Sequence, residues 1–165
     1  MKKAFGTALI YDLGLFPWLG PVLAQQFKTV YYFSPYQDAW PVSRKSMYGL
    51  GLPGVQRVND FYDFVDEADL IVFPDVGAGD LQMFLRRQGY PVWGAGASEM
   101  LELDRVELKR VLKANGMDVP RTWFPEGMDA LRAHLEDPAH EDEFIKISEY
   151  RGEGEKTRRR APSQC

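Results

Sequence analysis

The sequence predicts an α/β fold built on a parallel sheet, on three observations. Short apolar runs alternate with helix-like stretches along most of its 165 residues, the pattern of parallel strands joined by right-handed crossovers. One run, Asp69-Leu-Ile-Val-Phe-Pro74, is apolar almost without interruption, as a strand buried on both faces must be. Hydrophobic residues make up 45% of the chain and aromatics 13%, which supplies a packed core and is unlike a disordered composition. The length suits one domain, or one domain plus a fragment.

The elements follow in order. Phe5–Tyr11 is an apolar run of strand length, closed by Asp12-Leu13-Gly14. A helix is expected over Pro21–Phe27, since proline suits a first helical turn. Thr29–Phe33 is β-branched and aromatic, hence a strand. Residues 34–54, rich in proline, glycine and aromatics, read as a long loop of the kind that often carries function. Val55–Val58 is a short strand and Asp60–Glu67 a helix. After the Asp69–Pro74 strand, Leu81–Gln88 continues as a helix stopped by Gly89, and Pro91–Trp93 is the next strand. Asp104-Arg-Val-Glu107 has the form of a capping box, with the acid at its third helical position reaching back. Leu108, Val111, Leu112 and Asn115 recur at helical spacing before the stop at Gly116. Met128–Leu135 is a shorter helix, and Glu143–Ile147 the last strand.

In parallel sheets, ligands sit beyond the carboxyl ends of the strands. Three loops belong there, and they make Asp12, Gly14, Asp75, Gly77, Gly79, Gly94, Gly96 and Ser98 the candidate substrate-binding residues. Gly94-Ala-Gly96-Ala-Ser98 matches half of a G-x-G-x-x-G fingerprint, but Glu99 stands where the third glycine belongs. A negative charge beside a pyrophosphate disfavours a dinucleotide, so a turn whose amides approach a small anionic ligand is preferred. Asp75 and Asp80 admit two readings: contacts to a ligand's ammonium or hydroxyl, or a turn residue and a helix N-cap. His134 and His140 read as surface residues. Lys146 lies on an apolar strand immediately before a glycine-containing loop, an arrangement suited to gripping phosphate.

The net charge of −4 hides an uneven distribution, because Lys156, Arg158, Arg159 and Arg160 all follow the last acid, Glu155. An acidic body argues against nucleic-acid binding, and the basic end reads as a solvated, disordered tail. The single cysteine, Cys165, has no partner for a disulfide or a metal site, which suits a reducing cytoplasm. Lys2-Lys3 and the apolar run after them imitate a secretion signal. Asp12 within that run, with Gly14, Pro17 and Gly20, argues against one. No run approaches the roughly 18 apolar residues of a membrane span.

Gly94-Ala-Gly96-Ala-Ser98-Glu-Met-Leu-Glu-Leu-Asp104-Arg105, then a helix, then Asn115-Gly116-Met117-Asp-Val119-Pro120-Arg-Thr122, resembles the opening of the ATP-grasp fold. Phe144-Ile145-Lys146-Ile147 followed by Tyr150-Arg151-Gly152-Glu-Gly154 resembles its lysine strand and glycine-rich flap. Within the superfamily the chain is most similar to phosphoribosylamine–glycine ligase-like proteins, viral ones included. The resemblance implies a Rossmann-like domain over residues 1–97, the first part of an ATP-grasp domain over 98–155, and a tail over 156–165. It places Arg105 and Lys146 at the two nucleotide-contacting cation positions, with Tyr150, Arg151, Gly152 and Gly154 in the flap over the ATP phosphates. Arg105 replaces a lysine, Ile147 replaces a proline or alanine, and Glu153 lies within the flap.

The implied activity is ATP-dependent carboxylate–amine ligation through an acyl-phosphate, with ATP and Mg²⁺ as cofactors. Family members bind the metal through carboxylates and an asparagine far downstream of the flap. This chain is therefore expected to be truncated, or shifted in frame, after Glu155, with weak ATP binding at most and no turnover. The expected partners are a small-molecule substrate and, as one option, a second copy in a homodimer, with no nucleic acid and no membrane. The alternative is a non-catalytic Rossmann-like module that binds a small ligand or partner at the three sheet-end loops.

Overall fold

The computed structural model describes residues 5–36, 47–137 and 143–148, and residues 156–158 by their backbone. The chain divides into two compact units, Met1–Glu99 and Met100–Cys165.

The first unit is a five-stranded parallel sheet. Its strands are β1 (Phe5–Tyr11), β2 (Phe27–Phe33), β3 (Gln56–Arg57), β4 (Leu70–Val72) and β5 (Val92–Trp93), in the order β3-β2-β1-β4-β5. Alternation along β1 divides the core. Ala8 and Ile10 pack on one face with Val30, Tyr32 and Val72, against Leu19 and Leu23 of α1 (Leu19–Leu23). Leu9 faces the other way with Ile71 and Phe73, beneath a 3₁₀ helix (Tyr62–Glu67) and Leu85 of α2 (Gly79–Arg87). Helical segments thus cover both faces, as the continuously apolar strands require.

The structure differs from expectation at three local points. The first helix ends at Leu23 rather than Phe27, because Phe27 is drawn into β2 opposite Phe5. Residues 62–67 wind as a 3₁₀ helix rather than an α-helix. The segment around Glu107 forms only half of a capping box. The Asp104 carboxylate accepts from the backbone N–H groups of Val106 and Glu107, at 2.9 and 3.0 Å. Its own N–H, however, already donates to the Met100 carbonyl, so Glu107 pairs with Arg110 instead of reaching back.

The second unit contains α3 (Met100–Leu103), α4 (Arg105–Ala114), α5 (Gly127–Glu136) and an antiparallel ladder of β6 (Phe144–Lys146) with β7 (Lys156–Arg158). Residues 156–158, read from the sequence as part of a tail, thus pair as a strand. None of the second unit's residues whose burial is described is buried.

Candidate functional site

At the carboxyl end of the sheet, the loops after β1, β4 and β5 meet beside the point where strand order reverses. A cleft of about 290 Å³ opens there, lined by Tyr11, Gly77, Ala78, Gly79, Asp80, Leu81 and Glu99. Of the residues predicted for substrate, Gly77 and Gly79 line this cleft.

The others are engaged by the protein itself. Asp12 is fully buried. It accepts from the Tyr32 hydroxyl at 2.5 Å and from the Phe16 N–H at 3.0 Å. Gly14 has a φ of +100°, and a Cβ there would stand 2.7 Å from the Tyr48 ring. Asp75 accepts from the Val76 N–H, and the Ser98 hydroxyl donates to the Ala95 carbonyl. Gly94 and Gly96 are held from α2. Gln82 Oε1 accepts from the Gly96 N–H at 2.8 Å, and Arg86 Nη2 donates to the Gly94 carbonyl at 2.7 Å. A side chain at Gly94 would collide with Gln82, and one at Gly96 with Arg86.

The N-terminus of α2 is capped from outside the helix. Ala78, not Asp80, is its N-cap, and no side chain of the helix closes it. Glu99 does so, accepting from the N–H groups of Gly77 at 2.9 Å and Ala78 at 3.2 Å. Gly79 permits the approach, since a Cβ there would lie 2.5 Å from the Glu99 carboxyl group. Glu99→Ala leaves both amides without this acceptor and is expected to cost about 1 kcal/mol. A lower urea midpoint would register it, with Glu99→Gln losing less.

Tyr11, at the cleft wall, stacks on Phe73 and meets Phe61 edge-on. Burial, and then the phenols of Tyr62 and Tyr36, push its hydroxyl above the ordinary tyrosine range.

In the second unit, the start of α4 is tied to the chain just beyond Lys146. Arg105 donates from its backbone N–H to the Ser148 carbonyl at 3.0 Å and from Nη1 to the Ile147 carbonyl at 2.5 Å. The Ser148 hydroxyl lies 3.4 Å from the Asp104 carboxylate. That carboxyl is held below the usual aspartate range, first by the Glu107 N–H and also by Val106 and Ser148. Arg105 thus bonds the chain one and two residues beyond Lys146, which is itself exposed on β6. Tyr150, Arg151, Gly152 and Gly154 lie outside the described residues.

His134 departs from its surface reading. It is half-buried, with Nε2 2.7 Å from the Glu143 carboxylate and its ring against Trp123; His140 lies outside the described residues. Among the described residues no group of three or more His, Cys, Asp or Glu could hold a metal ion. No helix among them is long and apolar enough to cross a membrane.

Glu99, Gln82, Arg86 and Tyr11 were not singled out from the sequence as site residues. The one signal for the second and third was their i,i+4 spacing, which sets both on one helix face.

No family model and no curated protein sequence matches the chain. Solved structures do. N5-carboxyaminoimidazole ribonucleotide synthetase from Thermotoga maritima matches with a TM-score of 0.62 and 16% identity, over 94% of this chain and 41% of that one. N5-carboxyaminoimidazole synthetase from Staphylococcus aureus, complexed with ADP, matches at 0.63 and 17%, over 98% and 43%. A further structure of the Staphylococcus aureus enzyme matches at 0.62 and 18%, over 98% and 42%. The chain thus spans less than half the length of these enzymes, and over that span it has their α/β fold.

Proposed function

We propose that this chain is the N-terminal portion of an ATP-dependent carboxylate–amine ligase. In such a reaction the γ-phosphoryl group passes from ATP to a substrate carboxylate oxygen, releasing ADP. The amine nitrogen then attacks the acyl carbon, and inorganic phosphate leaves as the C–N bond forms. The observation that carries the reading is the corner at Arg105, Ile147 and Ser148, which fixes the end of the Lys146 strand. One fold neighbour was crystallised with ADP, which supports nucleotide use.

Lys146 is the residue assigned to the phosphates, as a mobile point charge. Arg105 acts differently from a phosphate-gripping lysine: its guanidinium braces the strand end on which Lys146 is carried. The proposal includes weak ATP binding and no turnover by this chain alone. The phosphoribosylamine–glycine ligase-like branch is favoured on the motif resemblance. A small-molecule substrate, a reducing cytoplasm and no nucleic-acid or membrane partner complete the proposal.

Calorimetric titration of ATP tests it. Lys146→Ala is expected to weaken binding at least about tenfold, the worth of one charge-assisted contact; unchanged affinity overturns the assignment. The cleft at Tyr11 and Gly77–Leu81 favours a second reading, a module that binds a small ligand at the sheet end. Ligand binding there would be indifferent to Lys146→Ala.

A further inference from the structure

Helix α1 is apolar on both sides. Leu19 and Leu23 pack into the core, and Gly20 and Ala24 are buried with them. The opposite side carries Trp18 and Val22, 60% and 46% exposed, and the turn leading into it carries Leu15, 68% exposed. Positions 18 and 22 stand one above the other on a helix, and the Phe16 ring lies 6.5 Å from that of Trp18. A helix apolar all round belongs in an interior, so its outer flank is a surface suited to being covered. From Leu13 to Phe27 no side chain is charged, in a chain whose net charge is −4. A foreign protein is selected largely by complementary charge, and attachment to a lipid surface draws on lysines and arginines beside the apolar face. This flank has neither. Its polar rim is Gln25 and Gln26, both exposed. An amide carries donors and an acceptor together, so two copies can satisfy each other, as two carboxylates or two ammonium groups cannot.

We propose that the outer flank of α1, at Leu15, Trp18 and Val22, is the twofold contact on which a second copy of this chain docks. The inference stands apart from the ligase reading. Homodimers mostly close in this way, one patch meeting itself across the axis, and their interface cores are poor in charge and rich in tryptophan. The three side chains offer on the order of 300 Å², against about 800 Å² per partner in a stable interface. The dimer is therefore a weak one, with a dissociation constant on the order of 10–100 μM.

Sedimentation equilibrium of the full chain from about 1 μM to about 1 mM tests the contact. The mass is expected to climb from one 18.9 kDa chain toward two. Trp18→Glu and Trp18→Lys are each expected to stay monomeric throughout, with the circular dichroism of the parent, because each brings like charges together near the axis. An equimolar mixture of the two variants is expected to associate again, since opposite charges then face one another. That recovery separates a self-contact from mere damage to the helix. A parent that stays monomeric, a dimer that either variant leaves intact, a mass that rises beyond two chains, or a mixture that stays monomeric overturns the contact. If the parent is monomeric but co-sediments with phosphatidylcholine vesicles, and Trp18→Glu does not, a lipid surface covers the flank and the proposal falls.

Discussion

Phe61→Ala is expected to lower the unfolding free energy of the first unit by about 3–5 kcal/mol, the range for truncating a buried phenylalanine. Phe61 is 1% exposed. Its ring meets Tyr11 at 5.2 Å, Tyr62 at 5.4 Å, and Phe33 and Phe73 at 5.9 Å each. Truncation removes the transfer free energy of the ring and leaves a cavity, while each lost aromatic pairing adds about 0.5–1.5 kcal/mol. Domains are stable by roughly 5–15 kcal/mol in total, so this one change consumes a large share. Urea denaturation followed by near-UV circular dichroism reads it directly. Phe61→Leu, which keeps most of the volume, should lose distinctly less. A loss below about 1 kcal/mol for the alanine variant would mean that the aromatic face collapses without cost.

Asp12→Ala is expected to cost about 2–4 kcal/mol, because it orphans the Tyr32 hydroxyl inside the core and removes the acceptor of the Phe16 amide. Asp12→Asn keeps an acceptor and should lose less. The same pair makes stability depend on alkaline pH. Burial first, and then the hydrogen bond to Asp12, push the Tyr32 phenol well above its ordinary value. The contribution is fully present below the unfolded phenol's pKa of about 10. Above it the unfolded chain releases a proton that the folded one keeps, so stability falls as pH rises. In Tyr32→Phe that part of the alkaline slope should vanish. An unchanged slope of urea midpoint against pH between about 9 and 11 would contradict the assignment.

The sheet was legible because its signals are local and periodic. Asp69–Pro74 announces a doubly buried strand by composition alone, and Gly89 and Gly116 mark helix stops by their tolerance of positive φ, at 92° and 72°. The rule that ligands gather at carboxyl ends of strands found the loops that bound the cleft. It did not find which groups within them are committed to the fold. The Glu99 cap spans 22 residues and the Gln82 bond 14, and no local pattern encodes either. Asp12 looked like a ligand contact because it is a carboxylate at a strand end, whereas its partner Tyr32 lies on the next strand. β7 was hidden for a different reason. Lys156-Thr157-Arg158 has no apolar residue, and its pairing is conferred by β6.

The two outermost strands of the sheet, β3 and β5, are each only two residues long. A strand that short offers a neighbouring molecule almost no ladder to continue, which guards against edge-to-edge aggregation. β5 carries a second safeguard. Pro91 and Trp93 turn their carbonyls toward β4, so that of Val92 points outward. Arg86 reaches toward Val92 and Gly94 from α2, at 3.4 and 2.7 Å. The helix that braces the glycine loop thereby also occupies the acceptors from which an amyloid-like stack would grow. Among the described residues, both margins of the sheet thus offer little continuous ladder to a neighbour.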